Sequence, residues 1–336
     1  MHPSSYDRMA DFCRDYLGER TQEPLTIVDL GSADYNGSYR PIFAKKPWRY
    51  IGVDLEPWKN VDLVLRDAYR WREIKTASVD AVVSGQTFEH TEFFWETILE
   101  ITRILKPGGL CCLIAPASGN EHRYPVDCWR IYTDGFRAIA RYAGLTVLHS
   151  RTHWEELPRY DTESNKWHES ILIARKEPES LGKCARRGLF GVARRWLNPL
   201  PKNVEAMVQV FYTPDGDYRE EASIVAGVLH GGWRTVRINL PAGSGLCPLR
   251  IDFMRTGEIV EIARVSVQTA RKEYFAAASP NEFDRITVAG DAERIADGKL
   301  LRLKITGADP QLYLPRLDIP ADEPRLSVEL RVRVPV

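Results

Sequence analysis

The sequence predicts a doubly wound, Rossmann-like α/β unit with a mostly parallel sheet, followed by an antiparallel β-sandwich. Three observations predict it. As far as residue 175, short apolar runs alternate with stretches of helical periodicity. The first run, 25–30, leads through Asp29 straight into Gly31, a polar loop and a helix start. That is the mouth of an open α/β sheet, where ligands bind at the carboxyl ends of the strands. After Pro201 the helical spacing gives way to alternation.

In chain order, Tyr6, Met9, Phe12, Cys13 and Tyr16 stand at helical spacing and predict a packing or lid helix over 6–17. The run 25–30 is apolar and β-branched, as a buried parallel strand should be. Tyr39, Ile42 and Phe43 begin a short helix. A second strand over 50–54 ends on Asp54, a third over 61–65 leads into Arg66-Asp67-Ala68, and a fourth covers 79–84. Phe94, Ile98, Ile101, Ile104 and Leu105 share one face of a helix over 91–105, closed by Lys106-Pro107-Gly108-Gly109. A fifth strand over 110–115, a helix over 133–143 and strands near 145–150 and 170–175 complete the unit.

The 336 residues suggest two domains. The predicted divisions are a first domain over 1–176, a basic linker over 177–202 and a sandwich over 203–336. Charge balances at 46 basic against 46 acidic residues, so no global field argues for nucleic acid. The six cysteines show no CxxC or paired spacing, which fits a reducing, cytoplasmic setting, with Cys111 and Cys112 as core residues. The N-terminal residues do not read as a signal peptide, and no apolar run reaches the roughly 20 residues that cross a bilayer. HxH and HExxH spacings are absent, so no catalytic metal is expected.

Two cofactors compete for the turn after the first strand. A dinucleotide fingerprint wants three glycines, so that a pyrophosphate can sit on the helix N-terminus. Here Ala33 stands where the second glycine would be, and Asp34, which follows, would repel a pyrophosphate. S-adenosyl-L-methionine carries a cationic sulfonium, an amino group and no phosphate, so acidic residues favour it. On this reading Asp29, Gly31, Ser32, Asn36 and Gly37 form the cofactor turn, with Gly31 admitting a close backbone approach. Asp54, 23 residues beyond Gly31, offers a carboxylate to both ribose hydroxyls. Asp67 accepts from the adenine amino group, Ala68 supplies a backbone donor, and Leu55 and Tyr69 flank the ring. Ser84 and Gln86 line the methyl-donor end.

The runs Ile27-Val-Asp-Leu-Gly31, Gly52-Val-Asp-Leu55, Arg66-Asp-Ala68 and Gln86-Thr-Phe-Glu-His90, with Arg103-Ile-Leu-Lys-Pro-Gly-Gly-Leu110, resemble a class I S-adenosylmethionine-dependent methyltransferase of the type 11 kind. The resemblance spans about 25–175 and departs at the first loop, where Ala33 and Asn36-Gly37 replace the usual glycine alternation. It implies the cofactor, and the ribose role of Asp54.

The long polar segment 118–130 after the fifth strand is the expected acceptor loop. Methyl transfer to oxygen needs the hydroxyl placed in line with the methyl and its proton removed. His122 and His90 are the general-base candidates, and Asp127 either acts as base or orients a histidine. Arg123, Tyr124, Trp129 and Arg130 combine ring faces with charged hydrogen-bonding groups, a mixture suited to a polyhydroxylated sugar; the other reading of Trp129 is a core aromatic under the loop. The string 122–130 is similar to methyltransferases of bacterial surface-polysaccharide synthesis. That similarity implies O-methylation of a sugar hydroxyl in an O-antigen or lipopolysaccharide-like glycan, such as capping of a chain end. Methylation of a small metabolite or a protein, or a non-catalytic scaffold that binds cofactor and glycan, are the competing readings.

Residues 176–202 hold seven basic and two acidic residues, net +5. Leu189, Val192, Ala193 and Trp196 share a helical face, so 183–197 reads either as an interfacial membrane helix, placing the chain at the inner membrane face, or as an interdomain helix with a solvated basic face. Beyond it, strand-like runs at 204–212, 234–240, 249–253, 259–267, 300–305 and 326–334 are joined by Gly- and Pro-containing turns. Glycan binding and homodimerisation both suit such a domain.

Overall fold

The computed structural model describes residues 2–335 apart from 124–125, 179–188, 190–192, 194–195, 198–205, 213–217, 229, 242–247, 255, 257, 296–297, 318 and 321–325. Tyr124 and the helix expected over 183–197 therefore lie outside the described residues, save single positions of the latter. The chain divides into two compact units, one of Met1–Asn120 with Val126–Leu200, the other of Glu121–Pro125 with Pro201–Val336. The grouping of 121–125 with the second unit has no counterpart in the sequence reading.

The first unit is a seven-stranded sheet. Its strands are β1 (Thr26–Leu30), β2 (Arg49–Asp54), β3 (Leu63–Val64), β4 (Val79–Gly85), β5 (Leu105–Ala115), β6 (Thr146–Thr152) and β7 (Ser170–Arg175). Their spatial order is β3-β2-β1-β4-β5-β7-β6. Pairs among β1 to β5 are parallel, and β7 runs antiparallel to both β5 and β6. The winding reverses between β1 and β4, and that switch point is where an open sheet forms its crevice.

Alternate strand residues supply two cores. Ile27, Ala81, Val83, Cys112 and Ile114 face one side, where Met9, Phe12, Cys13 and Leu17 of helix α1 (Pro3–Leu17) and Ile42 and Phe43 of the short α2 (Arg40–Phe43) cover them. Val28, Val82, Cys111 and Leu113 face the other, under Ile98, Ile101 and Ile104 of α3 (Phe94–Ile104) and Phe136, Ile139 and Ala140 of α4 (Thr133–Ala143). A strand covered on both faces reads as a continuous apolar run, which is why these strands stand out in the sequence.

Some boundaries move. The helix expected over 91–105 begins at Phe94, and His90 lies before it on a single 3₁₀ turn, Phe88–His90. The helix ends at Ile104, and Lys106 to Gly109 continue as extended chain, with Gly108 N–H donating to the Lys176 carbonyl at 2.7 Å. Glu100 explains the fixed path of the segment before β4: it accepts from the Trp71 N–H at 2.9 Å and from Arg103, which in turn donates to the Trp71 carbonyl at 2.7 Å. No helix among the described residues is long and apolar enough to cross a membrane.

The second unit is an antiparallel sheet of nine strands: β8 (Ala206–Phe211), β9 (Ser223–Val228), β10 (Arg234–Asn239), β11 (Arg250–Met254), β12 (Ile259–Gln268), β13 (Glu273–Ala277), β14 (Thr287–Ile295), β15 (Leu301–Tyr313) and β16 (Ser327–Arg333). The path runs β10-β16-β12-β15-β11-β8-β9, with β13 on β12 and β14 on β15, and β9 approaches β10 so that the sheet is nearly barrel-shaped. Inward residues such as Val208, Ile251, Phe253, Ile262, Leu303 and Leu330 form one core. Strands β9, β13 and β14 are absent from the sequence reading because Ala, Gly and charged residues dilute their alternation.

Strand β14 bends at Gly290, where φ is +63° and a Cβ would lie 2.2 Å from the Asp309 carbonyl oxygen. Gly290→Ala should therefore cost about 1–3 kcal/mol, because neither the backbone angle nor the neighbouring backbone can yield cheaply. Chemical denaturation of the full chain followed by circular dichroism checks this; an unchanged transition would show that the bulge relaxes.

Candidate active site

The carboxyl ends of β1 and β4 meet at Gly31. Its φ is +74°, and a Cβ there would sit 2.1 Å from Thr87 Oγ1. Only glycine satisfies both conditions. The Leu30 carbonyl accepts from Ser84 Oγ at 2.9 Å and Thr87 Oγ1 at 3.3 Å, while Gly31 N–H donates to the Val53 carbonyl at 2.9 Å. Strands β1, β2 and β4 are thus tied together at the turn. Gly85 is equally confined, since a Cβ would lie 1.9 Å from the Tyr39 hydroxyl, itself 2.6 Å from Ser5 Oγ.

The residues expected around a cofactor fall into three settings. Asp54 stands at the end of β2, accepting from the N–H groups of Ala33 at 3.1 Å and Leu55 at 2.7 Å. Burial raises its pKa and these amides oppose the rise. Asp67 is exposed and accepts from the Tyr69 N–H at 2.9 Å, Ala68 gives its carbonyl to Trp71 Nε1 at 2.9 Å, and Leu55 is exposed. Asn36 and Gly37 lie on the exposed outer loop, where Gly37 N–H caps Asp34 at 2.8 Å and Lys59 pairs with Asp34 at 2.8 Å.

Asp29 and Ser32 face inward instead. Asp29 is buried and accepts from the Tyr50 hydroxyl; Ser32 donates to the Asn60 carbonyl at 3.2 Å and receives Asn60 Nδ2 on its own carbonyl at 2.8 Å. Ser84, also buried, is occupied by Leu30. Burial pushes the Asp29 carboxyl up to about 7.

Past β4 lies a group of acids. Gln86, at φ +57°, donates to Glu169 at 2.7 Å, and Arg8 of α1 pairs with Glu169. Burial lifts the Glu169 carboxyl to about 7, against the pull of Arg8. Asp127 has a buried side chain held bidentately by Arg130 at 2.6 and 2.7 Å, and Arg130 also donates to the Asn120 carbonyl at 2.7 Å. That ion pair occupies both oxygens of Asp127. His90 places Nδ1 against the Val126 carbonyl, with Nε2 3.8 Å from Glu89. Trp129 donates Nε1 to the Thr91 carbonyl at 2.9 Å and packs edge-on against Phe94 and Trp95, so its ring serves the loop's footing.

His122 and Arg123 belong with the second unit, where Arg123 pairs with Glu121 and Glu220, and Gln209 joins Glu220 at 2.6 Å. Sequence reasoning missed Glu89, which is fully buried and whose carboxyl burial pushes up to about 8. A glutamate between Phe88 and His90 gives no sequence signal of burial.

Asp29 yields a test of this polar interior. Its pKa stands near 7 in the folded chain, against an ordinary value of about 4 when unfolded. A raised folded pKa means its contribution is fully present below about pH 4 and lost as pH rises through about 7. Asp29→Asn keeps an acceptor for Tyr50, so it should gain stability relative to the native chain at about pH 8 and lose that gain at about pH 4. Thermal unfolding at both values checks it; an equal difference at both would contradict the burial account.

Residues 28–113 match the family model described as a methyltransferase domain. A curated relative, an uncharacterized methyltransferase of Mycobacterium avium, is 28% identical over 133 residues, covering 35% of this chain and 50% of that protein. The chain thus spans about half the length of the curated relative it matches. Among solved structures, the 1,6-didemethyltoxoflavin-N1-methyltransferase of Burkholderia thailandensis, with S-adenosylhomocysteine bound, is similar at 16% identity over 52% of this chain and 79% of that one, with a TM-score of 0.39. An S-adenosylmethionine-dependent methyltransferase of Archaeoglobus fulgidus is similar at 15% identity over 51% of this chain and 95% of that one, also with a TM-score of 0.39. The matched segment lies within the first unit and runs from β1 into β5, so a methyltransferase-domain model covers the strand ends that form the mouth.

Proposed function

We propose that this chain is an S-adenosylmethionine-dependent O-methyltransferase whose acceptor is a sugar hydroxyl of a bacterial surface polysaccharide. The carrying observation is the strand-end mouth itself: a glycine turn without room for a Cβ, with carboxylates at Asp34, Asp54 and Asp67 on the segments that end or follow β1, β2 and β3. That donor set fits a ligand with a sulfonium and an ammonium and opposes a pyrophosphate. When bound, the cofactor supplies an electrophilic methyl group. Asp54 holds the ribose hydroxyls, Asp67 and Ala68 meet the adenine beside Leu55, and the turn from Gly31 through Ser32 to Asn36 and Gly37 carries the amino-acid end. Gln86 borders the methyl end beyond Ser84. His90 is the acceptor-side histidine of the first unit, and Asp127 orients Arg130 rather than serving as base.

A glycan acceptor is supported by rings left open to solvent in the first unit. Tyr132 and Trp154 are each 54% exposed with centroids 6.0 Å apart, and His168 lies 5.4 Å from Trp154. Such faces suit stacking on sugar rings.

Titration calorimetry tests the cofactor reading. S-adenosylhomocysteine should bind at about −7 to −8 kcal/mol, in the micromolar range. Asp54→Ala should weaken it by about 1.5–3 kcal/mol, the scale of a hydrogen bond to a charged group. Tight NAD binding without S-adenosylhomocysteine binding would overturn the reading. Transfer of a labelled methyl group to O-antigen-type polysaccharides, but not to their peracetylated forms, tests the acceptor.

A further inference from the structure

Glu89 lies on the turn Phe88–His90 immediately beyond β4, two residues from Thr87, whose side chain rests on Gly31. It is 0% exposed, and neither carboxyl oxygen has a hydrogen-bond partner among the described residues. Its acidic neighbours each have an arginine: Asp127 holds Arg130 and Glu169 holds Arg8. Arg130 favours ionisation of Glu89 from a distance, while Asp127 and Glu169 oppose it. The turn is held from the acceptor loop, since the Glu89 carbonyl receives the N–H groups of Cys128 at 2.7 Å and Trp129 at 3.2 Å. A buried carboxyl without a donor is costly and calls for an explanation, and a ligand that brings the donor is one. The place fits: the turn joins the cofactor mouth at Gly31 to the base of the loop expected to hold the acceptor.

We propose that Glu89 is the carboxylate at the methyl-transfer point, which accepts the hydrogen bond of the acceptor hydroxyl and takes its proton. This rests on the S-adenosylmethionine reading above. The carboxylate takes the hydroxyl proton, the oxygen electron pair forms the bond to the methyl carbon, and the carbon–sulfur bond breaks with its pair going to sulfur. A carboxylate and a sulfonium thus become a carboxylic acid and a thioether, and charge is conserved. Glu89 also places a negative charge where the sulfonium would be, so it discriminates between the cationic methyl donor and its neutral product.

That discrimination can be read without knowing the acceptor. The full chain and Glu89→Gln are titrated calorimetrically with two ligands: S-adenosylhomocysteine, neutral at sulfur, and sinefungin, which carries an amine-bearing carbon in its place. Glu89→Gln should weaken sinefungin by about tenfold or more, the loss of a charge-assisted hydrogen bond, and leave S-adenosylhomocysteine within about twofold. Equal loss for both ligands, or loss for neither, overturns the proposal. If circular dichroism shows Glu89→Gln unfolded, Glu89→Asp takes its place, and it should keep the charge and so part of the preference for sinefungin; no preference there overturns the proposal as well. If the native chain binds neither ligand, the cofactor reading itself fails, and this inference with it.

Discussion

The first unit depends on one close approach: β1 and β4 converge at Gly31 with no space for a side chain between them. The Leu30 carbonyl is shared by Ser84 and Thr87 from β4 and its turn, and Gly31 hangs on Val53 from β2. Fixing three strand ends at one point also fixes what projects from them. Asp54 emerges on one side, the Gln86–His90 turn on the other, and the crevice of the switch point opens between. The fold and the site are therefore one problem, and the packing of α1 and α2 against the sheet supports it from below through Tyr39 and Ser5 at Gly85.

Electrostatics adds a second layer to the same geometry. Charges at the rim, such as Asp34 with Lys59, are exposed on the lysine side and contribute little. Deeper acids divide into those with an arginine and those without. Arg130 and Arg8 neutralise Asp127 and Glu169, whereas Asp29 rests on a tyrosine hydroxyl and Glu89 has no hydrogen-bond partner among the described residues, only His90 Nε2 at 3.8 Å. Burial holds these two acids toward their neutral forms, and a cationic ligand nearby would favour their ionisation where an anionic one would oppose it. That asymmetry is the physical reason for preferring a sulfonium cofactor over a dinucleotide, and it adds to the family match an argument from the residues themselves.

Much of this was legible in the sequence because the parallel strands are buried on both faces, so that runs such as 79–84 and 110–115 declare themselves, and because Gly31 and Asp54 fall at strand ends. The helical periodicity over 133–143 marks α4 with both of its ends, and Gly144 closes it in the left-handed conformation. What the sequence hid has common causes. Burial of a charged side chain leaves no local mark, so Glu89 was passed over in favour of its neighbour His90. The ion pair Asp127–Arg130 has legible i,i+3 spacing, yet only the fold shows that it consumes the carboxylate. For Trp129 the sequence leaves a sugar platform and a core aromatic both open; in the fold its ring packs edge-on against Phe94 and Trp95. Strand β14, with Gly and Ala at its bend, takes its form from pairing with β15 rather than from its own propensity.

The central claim is that the mouth between β1 and β4 holds the methyl donor, with its sulfur turned toward the Gln86–His90 turn. A crystal structure of the chain with S-adenosylhomocysteine tests this most directly. The account predicts ribose hydroxyls on the Asp54 carboxylate, adenine beside Leu55 and Asp67, the amino-acid end over Gly31, and the sulfur facing Glu89. A ligand bound elsewhere, or bound in the mouth with its sulfur turned away from that turn and its ribose off Asp54, would contradict it.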